Sequence, residues 1–188
     1  MKNKNFLKLL AAILTVAAAA TLGSLLTASS IPTWYATLPK PSFNPPAWIF
    51  APVWTALFFL MAISAWLVWK KGLKKRNVRI ALFVFLGQLV LNVLWSALFF
   101  GLHSPAAAFL EISILWMAII MTIALFARIS KTAAWLLAPY LLWVTFAAVL
   151  NFAIWNISFR IANGTLLYLP ANSSVRVMAP FPTNENIK

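Results

Sequence analysis

A chain of 188 residues that is 63% apolar and 9% charged, with two acidic residues, lacks the polar surface of a soluble domain, about a quarter of which is normally charged. Its formal net charge of +13 sits in clusters between long uncharged runs, which argues against a nucleic-acid surface. With no Cys, disulfides, thiol catalysis and cysteine-based metal sites are excluded.

Residues 9–39, 41–69 and 132–159 contain no Lys, Arg, Asp or Glu, and 80–127 carry only Glu111. A spanning helix needs about 20 predominantly apolar residues, and runs without period-two alternation read as helices. The expectation is an all-α integral membrane protein, a five-transmembrane-helix bundle in one domain over 1–160, with a polar, disordered tail over 161–188.

The first span covers about 8–29. Its basic head and small residues near Ala28 resemble a signal peptide, but the apolar run exceeds the usual 7–15 residues of one, so we read a retained helix. The connector over about 30–47 holds Pro32, Pro39, Pro41, Pro45 and Pro46. Each proline fixes its own φ and pushes the preceding residue out of the helical region. The connector is therefore an ordered loop over one end of the bundle, with Trp34, Tyr35 and Trp48 suited to the membrane–water boundary. The second span, about 48–69, carries a stripe of Trp54, Phe58, Met61 and Ala65.

After the basic run KKGLKKRNVR, which suits anionic headgroups, the third span covers about 80–101. Gln88, Asn92, Trp95 and Ser96 share one face of it. The fourth, about 106–127, holds Glu111. The fifth, about 133–158, places Trp143, Ala147 and Asn151 at i, i+4 and i+8. Carboxamides at bilayer depth need partners. Two readings stay open: Gln88, Asn92 and Asn151 tie helices to one another, or they furnish an aromatic-walled pocket for a large, flat, apolar ligand. The small pairs Ala19/Gly23 and Ala97/Gly101 permit close helix approach, inside the bundle or between copies.

Eleven of the fifteen basic residues fall on the side that holds the N-terminus. The positive-inside rule makes that side cytoplasmic and puts the C-terminus outside. A bacterial plasma membrane is the expected location. His103, in the break GLHSP, and Glu111, the one intramembrane acid, are read as boundary and protonated groups respectively. No metal cluster, paired-carboxylate site or phosphate loop is present, so conventional hydrolysis and phosphoryl transfer have nothing to work with.

WYATLPKPSFNPPAWIFAPVWT, GQLVLNVLWSALFF, LEISILWMAIIMTIALF and APYLLWVTFAAVLN, in that order, resemble the tryptophan-rich sensory protein / translocator protein family (TspO/MBR, peripheral benzodiazepine receptors) over about 10–160. The resemblance implies a commonly homodimeric five-helix bundle whose pocket, under the first loop, binds tetrapyrroles such as protoporphyrin IX or haem, sterols and benzodiazepine-type ligands. It implies a sensor or carrier, or alternatively a light- or oxidant-driven tetrapyrrole-degrading enzyme with Trp54 and Trp143 as the candidate catalytic residues. The candidate ligand-binding set is Trp34, Tyr35, Pro46, Trp54, Phe58, Gln88, Asn92, Trp95, Trp143, Ala147 and Asn151. No cofactor is required, and a porphyrin enters as ligand. Membrane lipid is a further partner, nucleic acid is not, and an outer membrane of bacteria or mitochondria is the alternative location. Two departures bear on the ligand. Phe58 stands where the family pattern has a tyrosine, and Phe152 where the sterol motif needs one, which places sterols below tetrapyrroles.

Overall fold

The structure, a computed structural model, describes residues 2–164, and those residues contain helices and turns but no strand. Helix α1 runs over Lys2–Ala28, α2 over Phe50–Trp69, α3 over Arg76–Ser96, α4 over Pro105–Ala127, α5 over Lys131–Leu136 and α6 over Ala138–Ala162. Five stretches are long and apolar enough to cross a membrane, the fifth being α5 and α6 together. The fifth span is thus broken. Pro139 has no N–H to bond the Trp135 carbonyl, and the chain re-forms as α6 after a tight turn at Leu137. It then continues to Ala162, past the expected end at 158. Apart from 161–164, the expected tail lies outside the described residues.

Successive spans alternate in direction, so one end of the bundle gathers the N-terminus, the α2–α3 turn and the α4–α5 turn. We call this the basic end, and the opposite one, under the 29–49 connector, the Pro-rich end. The helices pack in a ring: α1 against α2 and α3, α3 against α4, α4 against α5 and α6, and α5 against α2.

The basic half is closed. Met61, Val68, Val78, Ala81, Phe126 and Ala133 are fully buried. Small residues (Ala62, Ser64, Ala65, Ala81, Ala133, Ala134) bring the backbones together, the device by which helices associate where no water drives them. The Ser64 hydroxyl donates to the buried Ala133 carbonyl at 2.7 Å, locking α2 to α5. The Trp66 indole N–H donates to the Asn5 carbonyl at 3.0 Å, tying α2 to α1.

Toward the Pro-rich end the ring opens, because α2 and α6 touch only slightly. Two irregular turns close this end. In Ile31–Tyr35 and Ala97–Gly101 the hydrogen bonds span five residues, Tyr35 N to Ser30 O and Leu102 N to Ala97 O, each at 2.8 Å. Such wide turns hold one residue more than an α-turn and occur often at functional sites. They interlock: the Ser30 hydroxyl donates to the Phe100 carbonyl at 2.7 Å, and Trp34 packs edge-on to Phe99 at 5.5 Å. Of the two small pairs, Gly23 faces Ser96 across the α1–α3 contact, at 3.5 Å from where a Cβ would stand. Gly101 has no such neighbour within 4 Å.

Candidate functional site

Between the splayed helices, beneath the connector, lies a cavity of about 420 Å³. α2 contributes Phe50, Trp54 and Phe58, α3 contributes Asn92, Trp95 and Ser96, and α6 contributes Trp143, Ala147 and Asn151. α1 supplies a wall without aromatics, with Gly23, Ser24 and Thr27. Tyr35 from the connector and Phe99 and Phe100 from the second wide turn complete it at the Pro-rich end.

The aromatic walls hold one another in place. Trp54 stacks on Phe58 at 5.3 Å and meets the ring of Tyr140 edge-on at 6.3 Å. Phe50 stands edge-on to Trp143 at 5.8 Å, and Trp95 stacks on Phe99 at 5.3 Å. Trp54 and Trp143 are both half-buried, and neither indole N–H meets a hydrogen-bond acceptor among the described residues.

The carboxamides are tied down, but not to one another. Asn92 donates to the Tyr140 hydroxyl at 3.2 Å, and that hydroxyl donates to Gln88 Oε1 at 2.9 Å. The Trp95 indole N–H donates to Asn151 Oδ1 at 3.0 Å, while Asn151 Nδ2 donates to the Pro105 carbonyl at 2.7 Å. Asn151 thus joins α6 to α3 and to the start of α4. Two things are observed of these side chains. They link helices, and Asn92 and Asn151 also line the cavity, where Asn92 Oδ1 accepts no bond from the described residues.

Eight of the expected ligand-binding residues line the cavity: Tyr35, Trp54, Phe58, Asn92, Trp95, Trp143, Ala147 and Asn151. Three do not. Gln88 is one turn deeper, buried against Tyr140. Pro46 caps the short turn Ala47–Ile49, its carbonyl accepting from Ile49 N at 3.0 Å. Trp34 turns away and stacks on His103, with 4.4 Å between ring centroids and 15° between planes. His103 sits at φ 50°, a left-handed conformation uncommon for a residue other than glycine, and its Nε2 is 3.4 Å from the Ser30 hydroxyl. The two connector aromatics of the expected set thus divide: Tyr35 faces the cavity and Trp34 pegs the connector to the α3–α4 turn.

Tyr35 is fixed by its hydroxyl, which donates to Asn44 Oδ1 at 2.8 Å. Burial raises its pKa above the usual phenol value, opposed by the bond to Asn44. The Lys40 ammonium lies 4.6 Å from the Tyr35 ring centroid and donates to the Leu38 carbonyl at 3.0 Å. Partial burial lowers its pKa. Glu111 is 5% exposed in α4, outside the cavity lining, and neither carboxyl oxygen meets a partner; the same holds for Gln88 Nε2.

Nothing in the sequence singles out Phe50, Phe99 and Phe100. The only signal for the last two is their place directly after the Asn92–Trp95–Ser96 stripe, and an α-helical projection misplaces them because the turn there is wide.

A family model described as the TspO/MBR family matches residues 11–156. The chain is 46% identical to "Tryptophan-rich protein TspO" of Chlorobaculum tepidum over 81% of its own length and 96% of the relative's. It is 47% identical to the protein of the same name in Archaeoglobus fulgidus, over 80% and 97%. To the human "Translocator protein" it is 38% identical, over 65% of this chain and 73% of the human one.

Proposed function

The chain belongs to the TspO/MBR family of integral, multi-pass membrane proteins, and from that premise we propose that it is a sensor or carrier that takes a tetrapyrrole such as protoporphyrin IX or haem into the cavity under the connector. One observation carries the reading: two half-buried indoles, Trp54 and Trp143, on the α2 and α6 walls of one cavity, their N–H donors unpaired. Apolar walls with a few placed polar groups describe a small-molecule site, usually about 300–1,000 Å³. Flat rings stacked on aromatic side chains gain beyond their area. The indole donors and Asn92 Oδ1 orient a ring with sparse polar atoms, and Lys40, beside Tyr35, receives a carboxylate at its edge. Phe58 offers no phenolic donor to a sterol hydroxyl.

As part of the same proposal, the basic end faces the cytoplasm of a bacterial cell across its plasma membrane, and the protein is a homodimer. Protease accessibility in oriented vesicles tests the first and sedimentation in density-matched detergent the second.

Titrating the protein in nanodiscs with protoporphyrin IX and following tryptophan emission tests the ligand. Trp54→Ala and Trp143→Ala are each expected to weaken binding by roughly 2–10-fold, the loss of one stacked contact, with helicity unchanged. Equal titrations for parent and both variants remove the reading. A second reading, oxidative tetrapyrrole breakdown, is favoured by the proximity of Trp54 to Tyr140, a residue that could return an electron to an oxidised indole. Illumination under oxygen separates the two: pigment loss no faster than in empty nanodiscs leaves the sensor or carrier.

A further inference from the structure

At the basic end, on the outside of the bundle, a second hollow of about 240 Å³ runs between α1, α2 and α3. Its floor is made by two residues with little side chain, Ala12 and Ala65, which are 4% and 5% exposed. Its sides are Trp69, Leu82, Phe85 and, in the α2–α3 turn, Leu73. The one hydroxyl in the lining, that of Thr15, is turned back onto its own helix and donates to the Ala11 carbonyl at 2.9 Å. Nothing in the groove asks for a polar ligand. It does not share a lining residue with the cavity at the Pro-rich end.

The mouth of the groove is the opposite. Followed toward the basic end, every wall presents a cation. Lys8 precedes Ala12 by four residues in α1, and Arg79 precedes Leu82 by three in α3, so each lies one turn further along the same helix face. Lys70 follows Trp69, with its ammonium 4.3 Å from the Trp66 ring centroid. Leu73 itself lies between Lys71 and Lys74. Among the described residues the one acid is Glu111, buried in α4, so no carboxylate offsets these charges. Arg76 and Arg79 moreover occupy the first turn of α3, where a cation opposes the helix dipole and an anion is favoured.

A carbon-lined groove at membrane depth that opens onto uncompensated cations at the boundary complements an amphiphile with an apolar chain and a negative head. We propose that this groove is a site for one anionic phospholipid, its acyl chain lying over Ala12 and Ala65 and its phosphate held among Lys8, Lys70 and Arg79. The site is structural or regulatory, and separate from the cavity assigned to the tetrapyrrole.

Native mass spectrometry of the full chain, released from micelles doped with phosphatidylglycerol or phosphatidylcholine, tests it. The parent should retain one phosphatidylglycerol at lipid concentrations where phosphatidylcholine leaves. Removing two headgroup cations together (K8Q with R79Q) should weaken retention by about thirtyfold, whereas the same charge removed at the other turn of this end (R128Q with K131Q) should weaken it by less than about twofold. Both double variants alter exposed or half-exposed side chains, and circular dichroism checks that they fold. Ala65→Phe, which fills the floor, should also abolish retention. Glycerol phosphate in solution should not displace the lipid, since it cannot use the groove. Equal retention of the two lipids by the parent would overturn the proposal. So would equal losses in the two double variants, which would make the effect one of general surface charge, or displacement by glycerol phosphate, which would make the groove irrelevant.

Discussion

The two ends of this bundle are built from the same apolar alphabet and do opposite things with it. At the basic end the contact positions are small: Ala62, Ser64, Ala65, Ala81, Ala133 and Ala134 let α2, α3 and α5 close until a serine on one helix reaches a backbone carbonyl on another. At the Pro-rich end they are large: Phe50 stands against Trp143 between α2 and α6, Trp54 stacks on Phe58 along α2, and Trp95 stacks on Phe99. Polar links are present at the cavity, Asn151 to Trp95 and to Pro105 among them, but they do not hold it open alone. It needs helices clamped at one end and propped by rigid rings at the other.

If the contrast is right, substitutions sort by end. The largest effect on folding belongs to the clamp. Phe126→Ala, in a position fully buried and stacked on Phe85 at 5.7 Å, should lower stability by about 3–5 kcal/mol, seen as an earlier thermal transition in detergent, with ligand affinity of the surviving folded fraction unchanged. Next comes Asn151→Ala, which leaves the Trp95 N–H without its acceptor and removes the side-chain bond to the Pro105 carbonyl. It should cost roughly 1–3 kcal/mol and weaken ligand binding as well, since Asn151 lines the cavity; a loss confined to one readout would blur the division. The props, Trp54 and Trp143, should show the reverse of the clamp, with binding weakened and the melting transition moved little. Smaller again is the peg. Trp34→Ala removes the stack on His103 and the edge contact with Phe99, about 0.5–1.5 kcal/mol for each, and should speed both entry and exit of the ligand in stopped-flow experiments while the equilibrium constant changes less. Smallest is Tyr35→Phe, which deletes one hydrogen bond to Asn44, worth about 0.5–1.5 kcal/mol. Its readout is faster amide exchange in residues 35–44.

The spans were legible in the sequence because uncharged runs report membrane depth directly; the clamp was not, because small residues occur in every span and do not say which of them meet. Periodicity reports azimuth but not depth. Gln88 and Asn92 share a face, yet only Asn92 reaches the cavity, and Gln88 lies a turn below it against Tyr140. Tyr140 itself carries no mark: nothing in one sequence says that a tyrosine on the fifth span will bond two carboxamides on the third. The break at Leu137 follows from Pro139, whose effect is local and predictable. The wide turns have no such signature, and with them went Phe99 and Phe100. The motifs that carry the family resemblance lie in the same segments as the props, which is why eight of eleven expected ligand-binding residues came to line one space.

The turn at Ala97–Gly101 has a consequence for how this molecule tolerates change in length. It is equivalent to a single extra codon inside an otherwise regular helix. Deleting one residue there would let α3 finish with ordinary geometry and leave the hydropathy and reach of the span almost untouched. It would also take up the bulge on which Phe99 and Phe100 are displayed, carrying the two phenylalanines off the seam with the connector. A length variant of this kind would insert, fold and look intact in every hydropathy plot, and still have lost its roof.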